Sequence, residues 1–400
     1  MNLLYYCDEY PPARNGGIGT VVKLVAEAMA NRGHRVIVAG KYWENQGRKS
    51  KTIEQINGVT VVRWHKGSYQ TLGVMACSLI RNGETRKKVK AQRVFNHTHR
   101  LLVNLIKEYH IDLVEMPDYV DDFEHNEFLE VVKCVFPVPL LIRVHGSVSF
   151  LYFHLNGKEM KTKVRQDREH LNRADAVCAV SEFSGRYVKD HLSPEREVDV
   201  IYNMIDDNMF ENTKNVEFGN QTILYFGKII EMKGVFSLIK AFNMVAEKYP
   251  MARLKLVGSG ETDKAQQLVD SRFSDRVEFV GFMPHAEIID EIDKASFCVI
   301  PSYFETFSMA AVEVQARRRA LVFTERTSGK ELVEDGVDGL LVDPDNVSQI
   351  ADKMELLLSN VELRDKLAKR GFESCRKRFS SEIITPQMET YYKKIITNYS

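Results

Sequence analysis

The sequence predicts an α/β protein of two domains, each a parallel sheet covered by helices. Short apolar runs of strand length alternate with longer helical patterns almost from end to end, as in sheets whose crossovers are helices. The 400 residues exceed what one hydrophobic core usually supports. A polar, weakly periodic stretch rich in Asn and Asp, 203–222, separates two series that each restart with strand, glycine and helix.

The first series places strands at 3–7, 35–39, 60–64, 112–116, 140–144, 176–180 and 199–202, where β-branched and aromatic residues gather between turn signals. The second places them at 223–226, 254–257, 277–280, 297–301, 321–323 and 339–342. Val21, Val22, Leu24, Val25, Ala28 and Met29 recur at helical spacing after the first strand, and a helix over 235–246 follows Lys233-Gly234. A last helix over 381–396 carries Ile384, Tyr391, Tyr392 and Ile395 on one side. The expected organisation is therefore an amino-terminal Rossmann-like domain at 1–205, a carboxyl-terminal one at 206–380, and a helix at 381–400 packing back towards the first.

Composition narrows the function classes. Hydrophobic residues are 44% and charged residues 28%, the balance of a folding chain and not of a disordered one. The best apolar stretch, 131–142, carries Lys133 and falls short of the roughly 18–20 residues a membrane span needs. Residues 1–7 have no basic lead and meet Asp8 and Glu9 at once, which predicts no export signal and a cytoplasmic protein. The six cysteines are scattered without a CxxC pair, so they read as buried thiols of a reducing compartment, not as zinc ligands or disulfides.

Net charge is zero, yet 81–107 carries eight basic residues against one acid, Glu84, beside Val103, Leu105 and Ile106. Such a helix is either a solvated face or a patch for anionic lipid headgroups on the inner membrane surface. Nucleic acid is not expected, because neither a binding motif nor a strongly basic domain is present.

In open parallel sheets, ligands bind beyond the carboxyl ends of strands, where helix amino termini expose free N–H groups. Gly16-Gly17-Ile18-Gly19 follows the first strand, a cluster that serves either a turn or contact with a phosphate or sugar. It fails as a dinucleotide fingerprint, since Val22 stands at the third glycine position and Ala39-Gly40-Lys41 lacks the ribose-binding acid. His145 ends the strand 140–144, where it is either a structural histidine or one that donates a hydrogen bond or exchanges a proton near neutral pH. Asp118 and Tyr119 are candidates for the same crevice, on the acceptor side. Lys228 and Lys233, which taken alone read as two surface lysines, bracket a strand end and a helix start, a placement that in this context suits a diphosphate. After the strand 297–301 comes a loop with Glu305 and a helix expected near Thr306, capped by that hydroxyl, with the amides of Phe307, Ser308 and Met309 facing an anion and Glu313 two turns along.

Together these residues resemble glycosyltransferase family 4, the retaining GT-B enzymes that use nucleotide sugars. The resemblance runs through Gly33-His34-Arg35-Val36, Arg143-Val144-His145-Gly146, Val180-Ser181, Ile201-Tyr202-Asn203 with Asp206, Gly227-Lys228 with Lys233-Gly234, Leu256 to Gly260, Phe279 to Phe282, the pair Glu305/Glu313, Glu331-Leu332-Val333 and Asp338 to Val342. It implies two domains facing each other across a cleft. Gly17, Lys228, Lys233 and the amides of Phe307 to Met309 would contact the donor diphosphate; Glu305 would hold hydroxyls of the transferred sugar, His145 would stand near the reaction centre and Glu313 would bind the ribose.

The family's course is a front-face displacement in which the departing phosphate helps accept the acceptor's proton. No metal and no cofactor beyond the donor are then expected, and Asp343-Pro344-Asp345 reads as a turn. The acceptor would be a glycan or a lipid-linked oligosaccharide, in surface polysaccharide synthesis. Ser308, Arg318 and Ala320 depart from the family's glycine, glycine and proline. A GT-B epimerase, a non-catalytic nucleotide-sugar-binding subunit and an NAD oxidoreductase are the rival readings, the last weakened by the missing glycine and acid.

Overall fold

A computed structural model describes residues 1–12, 16–42, 51–65, 79–119, 135–217 and 219–399. The chain divides into two compact units, Met1–Met204 with Ile384–Ser400, and Ile205–Ile383.

The first unit holds an eight-stranded sheet of β1 (Asn2–Tyr6), β2 (Arg35–Tyr42), β3 (Lys51–Ile56), β4 (Val59–His65), β5 (Leu113–Pro117), β6 (Leu140–Val144), β7 (Ala176–Ala179) and β8 (Asp199–Val200), in the order β3-β4-β2-β1-β5-β6-β7-β8. All neighbours are parallel except β3 and β4. Sequence reasoning missed β3, an edge strand exposed along most of its length that therefore shows no apolar alternation. The usable signal was Asn57-Gly58, whose positive φ angles of 47° and 80° turn the chain from β3 into β4.

A buried polar cluster fastens the carboxyl-terminal helix (Ser381–Tyr399) to this sheet. The Tyr392 hydroxyl donates to Glu115 Oε2 at 2.5 Å, and Tyr5 donates to Tyr392 at 3.2 Å. Arg143, 1% exposed, reaches Met388 Sδ, the carbonyls of Ile201 and Tyr202, and Asn203 Oδ1. Burial raises the Glu115 carboxyl above its usual range while the Arg143 charge pulls it down. Ile384, Met388, Tyr391 and Ile395 are buried beside this cluster.

The second unit is a six-stranded, wholly parallel sheet of β9 (Thr222–Phe226), β10 (Arg253–Val257), β11 (Val277–Gly281), β12 (Phe297–Ile300), β13 (Ala320–Thr324) and β14 (Leu340–Val342), ordered β11-β10-β9-β12-β13-β14. Its core packs Leu238, Ile239 and Phe242 of the helix Val235–Lys248 against Ile223, Leu254, Leu256 and Val299. The polar stretch after residue 203 is held by arginines. Arg317 pairs with Asp293 at 2.5 Å and donates to the carbonyls of Met209 and Glu211, while Arg319 donates to that of Lys214. Between them, exposed Arg318 sits at φ 53°, in the left-handed region that favours the glycine the resemblance expects there. Ala320 opens β13 opposite Phe297, a first-strand position that proline also tolerates.

Cys7, Cys178, Cys298 and Cys375 are buried free thiols, whereas Cys77 and Cys134 lie outside the described residues. Among the described residues no helix is long and apolar enough to cross a membrane. The basic run lies on the helix Gly83–Tyr109, whose Phe95, Leu102, Leu105 and Ile106 are buried in the protein. Leu105 and Ile106, read from sequence as an apolar face beside the cations, thus serve the core.

Candidate functional site

In the second unit the strand order reverses between β9 and β12, the place where an open parallel sheet leaves a crevice at its carboxyl edge. Lys228 follows β9 and Glu305 follows β12, so the topology alone brings these segments to that crevice. The loop after β9 is laced to the loop after β10: Gly227 N–H donates to Val257 O at 2.9 Å and Ile229 N–H to Ser259 O at 3.0 Å. Gly258, at φ 142°, lies so close that a Cβ would stand 1.8 Å from Gly227 O. Lys228 itself is exposed and forms no ion pair with any described residue.

Lys233 ends a 3₁₀ turn (Glu231–Lys233), and Gly234 at φ 69° turns the chain into the helix Val235–Lys248. A Cβ on Gly234 would fall 1.9 Å from Pro301 O, so only glycine lets the helix start approach the end of β12. This contact explains how two residues far apart in sequence meet: Lys233 Nζ lies 2.8 Å from Glu305 Oε1, with the two side chains 26% and 12% exposed.

The helix after Glu305 runs Met309–Ala316, and its cap is Ser308, whose Oγ accepts from Ala311 N–H at 3.3 Å. This corrects the expected start and cap at Thr306. Phe307 is drawn into the core, its ring edge-on to Phe379 at 5.4 Å, which fixes the loop so that the next hydroxyl in the chain reaches the helix. Ser308, in place of a glycine, therefore gains a capping bond, and Ser308→Ala is expected to lower stability by about 1 kcal/mol, checked by urea denaturation. The backbone N–H groups of Ser308, Met309 and Ala310 have no partner among the described residues, at the positive end of the helix dipole. Alanine 310 thus joins the expected amides, while Phe307 contributes mainly its packed ring.

Glu313, 7% exposed, accepts from His285 Nε2 at 2.9 Å. His285 begins the helix His285–Lys294 just past the turn after β11, and sequence reasoning did not find it because a lone exposed histidine at a helix start carries no periodic signal. Asp343 and Asp345 both pair with Arg326 at 2.5 Å, and Tyr303 donates to Asp345 at 2.8 Å, so a cation already bridges the Asp-Pro-Asp turn.

In the first unit the order reverses between β1 and β5. Asp118 follows β5, and its two carboxylate oxygens accept from the backbone of His145 at 2.8 Å and Gly146 at 3.1 Å. Read from sequence as a possible acceptor contact, Asp118 is instead spent on the turn that carries His145. Burial pushes its carboxyl up to about 7 against the pull of those amides. Burial, helped by the Arg143 charge, pushes the His145 imidazole down to about 3. Its imidazole is therefore neutral near pH 7, the form that can both donate and accept a hydrogen bond. Tyr119 lies beside this turn, half-buried.

Gly16 caps the helix Gly17–Asn31 in extended backbone, and Gly19 N–H donates to Glu9 Oε2 at 3.3 Å. A carboxylate thus already stands at the helix start near Gly17, which works against the expected phosphate contact there.

Under the Asp118 turn, His170 Nε2 lies 3.3 Å from Pro117 O, and burial pushes its imidazole down to about 4. The unfolded chain takes up this proton near pH 6.5 and the folded chain does not, so stability is present above that pH and is lost as pH falls towards 4. The loss is of the order of 3 kcal/mol. Denaturation midpoints at pH 7.5 and 5 should converge in His170→Gln relative to the unaltered chain.

Two parallel-sheet units, each with candidate site residues beyond its strand ends, are the architecture of the GT-B class of glycosyltransferases. A model described as Glycosyltransferase Family 4 matches residues 15–208 and one described as Glycosyl transferases group 1 matches residues 206–374. The chain belongs to these glycosyltransferases, of family 4. An uncharacterized glycosyltransferase of Methanocaldococcus jannaschii is 24% identical over 88% of this chain and 93% of its own length. A capsular polysaccharide biosynthesis glycosyltransferase of Staphylococcus aureus is 24% identical over 56% of this chain and 62% of its own. Among solved structures, sucrose-phosphate synthase from Thermosynechococcus elongatus superposes with a TM-score of 0.77 at 20% identity, covering 99% of both chains. Anabaena HepE in complex with UDP-glucose superposes at 0.72 and 19% identity, covering 98% of this chain and 100% of that one. These likenesses establish the fold.

Proposed function

We propose that the chain moves a sugar from a nucleoside-diphosphate sugar to a glycan or lipid-linked acceptor, with retention of anomeric configuration. The observation that carries this reading is the Lys233–Glu305 pair at the β9/β12 reversal, beside the unpartnered amides of Ser308, Met309 and Ala310. Without donor, Lys233 and Glu305 neutralise each other. A bound diphosphate competes for Lys233 and also engages Lys228 and the helix amides, which leaves Glu305 to accept from sugar hydroxyls. Glu313, oriented by His285, accepts from the ribose. His145, neutral and held by Asp118, offers a hydrogen bond to the transferred sugar.

The bond from the anomeric carbon to the diphosphate oxygen breaks, the acceptor oxygen bonds to that carbon on the same face, and the acceptor's proton passes to the leaving phosphate. Fixed cations and amides stabilise the charge developing on that phosphate, so the proposed reaction proceeds without a metal. The relative named for capsular polysaccharide biosynthesis supports a surface glycan as the product, and the cations of the helix Gly83–Tyr109 would suit an acceptor held at an anionic membrane.

Screening UDP-, GDP- and ADP-hexoses for thermal stabilisation tests the donor assignment. One nucleotide series should raise the apparent stability, by about 2.7 kcal/mol at a hundredfold excess over Kd. Absence of any shift, together with no nucleotide release in the presence of chelator, would overturn the reading.

A further inference from the structure

Thr327 is a β-branched residue at φ 56°, in the left-handed region. A residue of that shape meets steric conflict between its Cβ and the backbone there, and such conformers persist only where the surroundings impose them. Thr327 lies in the loop between β13 and the short helix Gly329–Leu332. Its Oγ1 accepts the backbone N–H of Glu305 at 3.1 Å. Buried Ser328, the next residue, donates its hydroxyl to the Glu305 carbonyl at 3.0 Å, and its N–H lies 3.4 Å from the same oxygen. Both polar groups of the Glu305 main chain are therefore held by one dipeptide, while the Glu305 carboxylate meets Lys233 on its other side.

We infer that Thr327 is a positioning residue for Glu305, held in an unfavourable backbone conformation because that conformation delivers its hydroxyl to the Glu305 amide. Gly329 fixes the following step of the loop, since a Cβ there would stand 1.8 Å from Thr324 O. Gly329 N–H also donates to Arg326 O at 2.9 Å, which closes a turn around Thr327 and Ser328. The inference rests on the proposed role of Glu305 and concerns the orientation of its carboxylate, which counts most when charge develops on the sugar.

A purely structural threonine and a positioning one give opposite signatures on replacement by glycine. Thr327→Gly relieves the left-handed strain and removes the hydroxyl. Its thermal midpoint should stay level or rise, while kcat for nucleotide release from the hexose donor turned over by the unaltered chain should fall about 10- to 100-fold, with donor KM changed by no more than about threefold. Thr327→Ser restores the acceptor and should recover kcat to within about threefold. In the full-length chain, the Glu305 amide should exchange hydrogen faster in the glycine variant than in the serine variant. Unaltered kcat in Thr327→Gly overturns the positioning role. Glu305→Gln, measured alongside, separates the two levels: full activity there removes the site reading and the inference with it, whereas an inactive Glu305→Gln beside a fully active Thr327→Gly removes the inference alone.

Discussion

Lys233→Ala is expected to lower turnover of the donor about 100- to 1000-fold, the loss typical when one preorganised group facing transition-state charge is removed. Stability should change by no more than about 1 kcal/mol, because the Lys233–Glu305 pair is partly solvated and such pairs contribute little to folding. The contrast is what makes the prediction informative. A residue that mattered only as a counterion of Glu305 would leave kcat intact, and Lys233→Ala with the turnover of the unaltered chain would remove the diphosphate assignment. Lys233→Arg keeps the charge but presents a planar fork in place of a compact ammonium, so partial activity is expected from it. The readout is steady-state nucleotide release, with the denaturation midpoint measured on the same samples.

Gly234→Ala is expected to do the reverse, damaging fold and activity together. Alanine would be strained at φ 69°, and its Cβ would fall 1.9 Å from the Pro301 carbonyl oxygen. A backbone atom cannot swing aside as a side-chain tip can, so the start of the helix Val235–Lys248 would have to move away from the end of β12. We expect a loss of about 3 kcal/mol or more, in the range of substitutions that combine backbone strain with overpacking. Because that movement parts Lys233 from Glu305, donor-induced stabilisation should weaken as well. A midpoint within about 0.5 kcal/mol of the unaltered chain would show that the close approach is not required.

The two substitutions probe one feature from opposite directions. Lysine 233 supplies charge, and Gly234 supplies the geometry that places the charge. Neither role is visible in the other residue's chemistry, although they are adjacent in sequence.

The strands were legible because a buried parallel strand writes a continuous apolar run. Phe297–Ile300 is apolar and buried at every position, and Leu140–Val144 is apolar but for the buried Arg143; both stand in the sequence as runs bounded by turn signals. Strand β3 was not legible for the converse reason: an exposed edge needs no apolar pattern. The cap at Ser308 was misplaced by two residues because Thr306 and Ser308 are both good caps, and the choice between them was made by Phe307 packing on Phe379, a contact with the far end of the helix Val361–Phe379. Asp118 was assigned to a ligand because a carboxylate after a strand end looks the same in sequence whether it faces solvent or accepts two backbone amides.

Local patterns along the chain determined the α/β class, the division near residue 205 and the segments that carry Lys228, Lys233, His145, Glu305 and Glu313, because burial and helix initiation leave their mark on neighbouring residues. Only the tertiary structure decided that Lys233 meets Glu305, that His285 holds Glu313, and that Thr327 and Ser328 grip the Glu305 main chain. Those pairings join residues from 20 to 70 positions apart in round numbers, and distances of that kind are set by strand order and by single close approaches such as Gly234 against Pro301, which leave no periodic trace in the sequence.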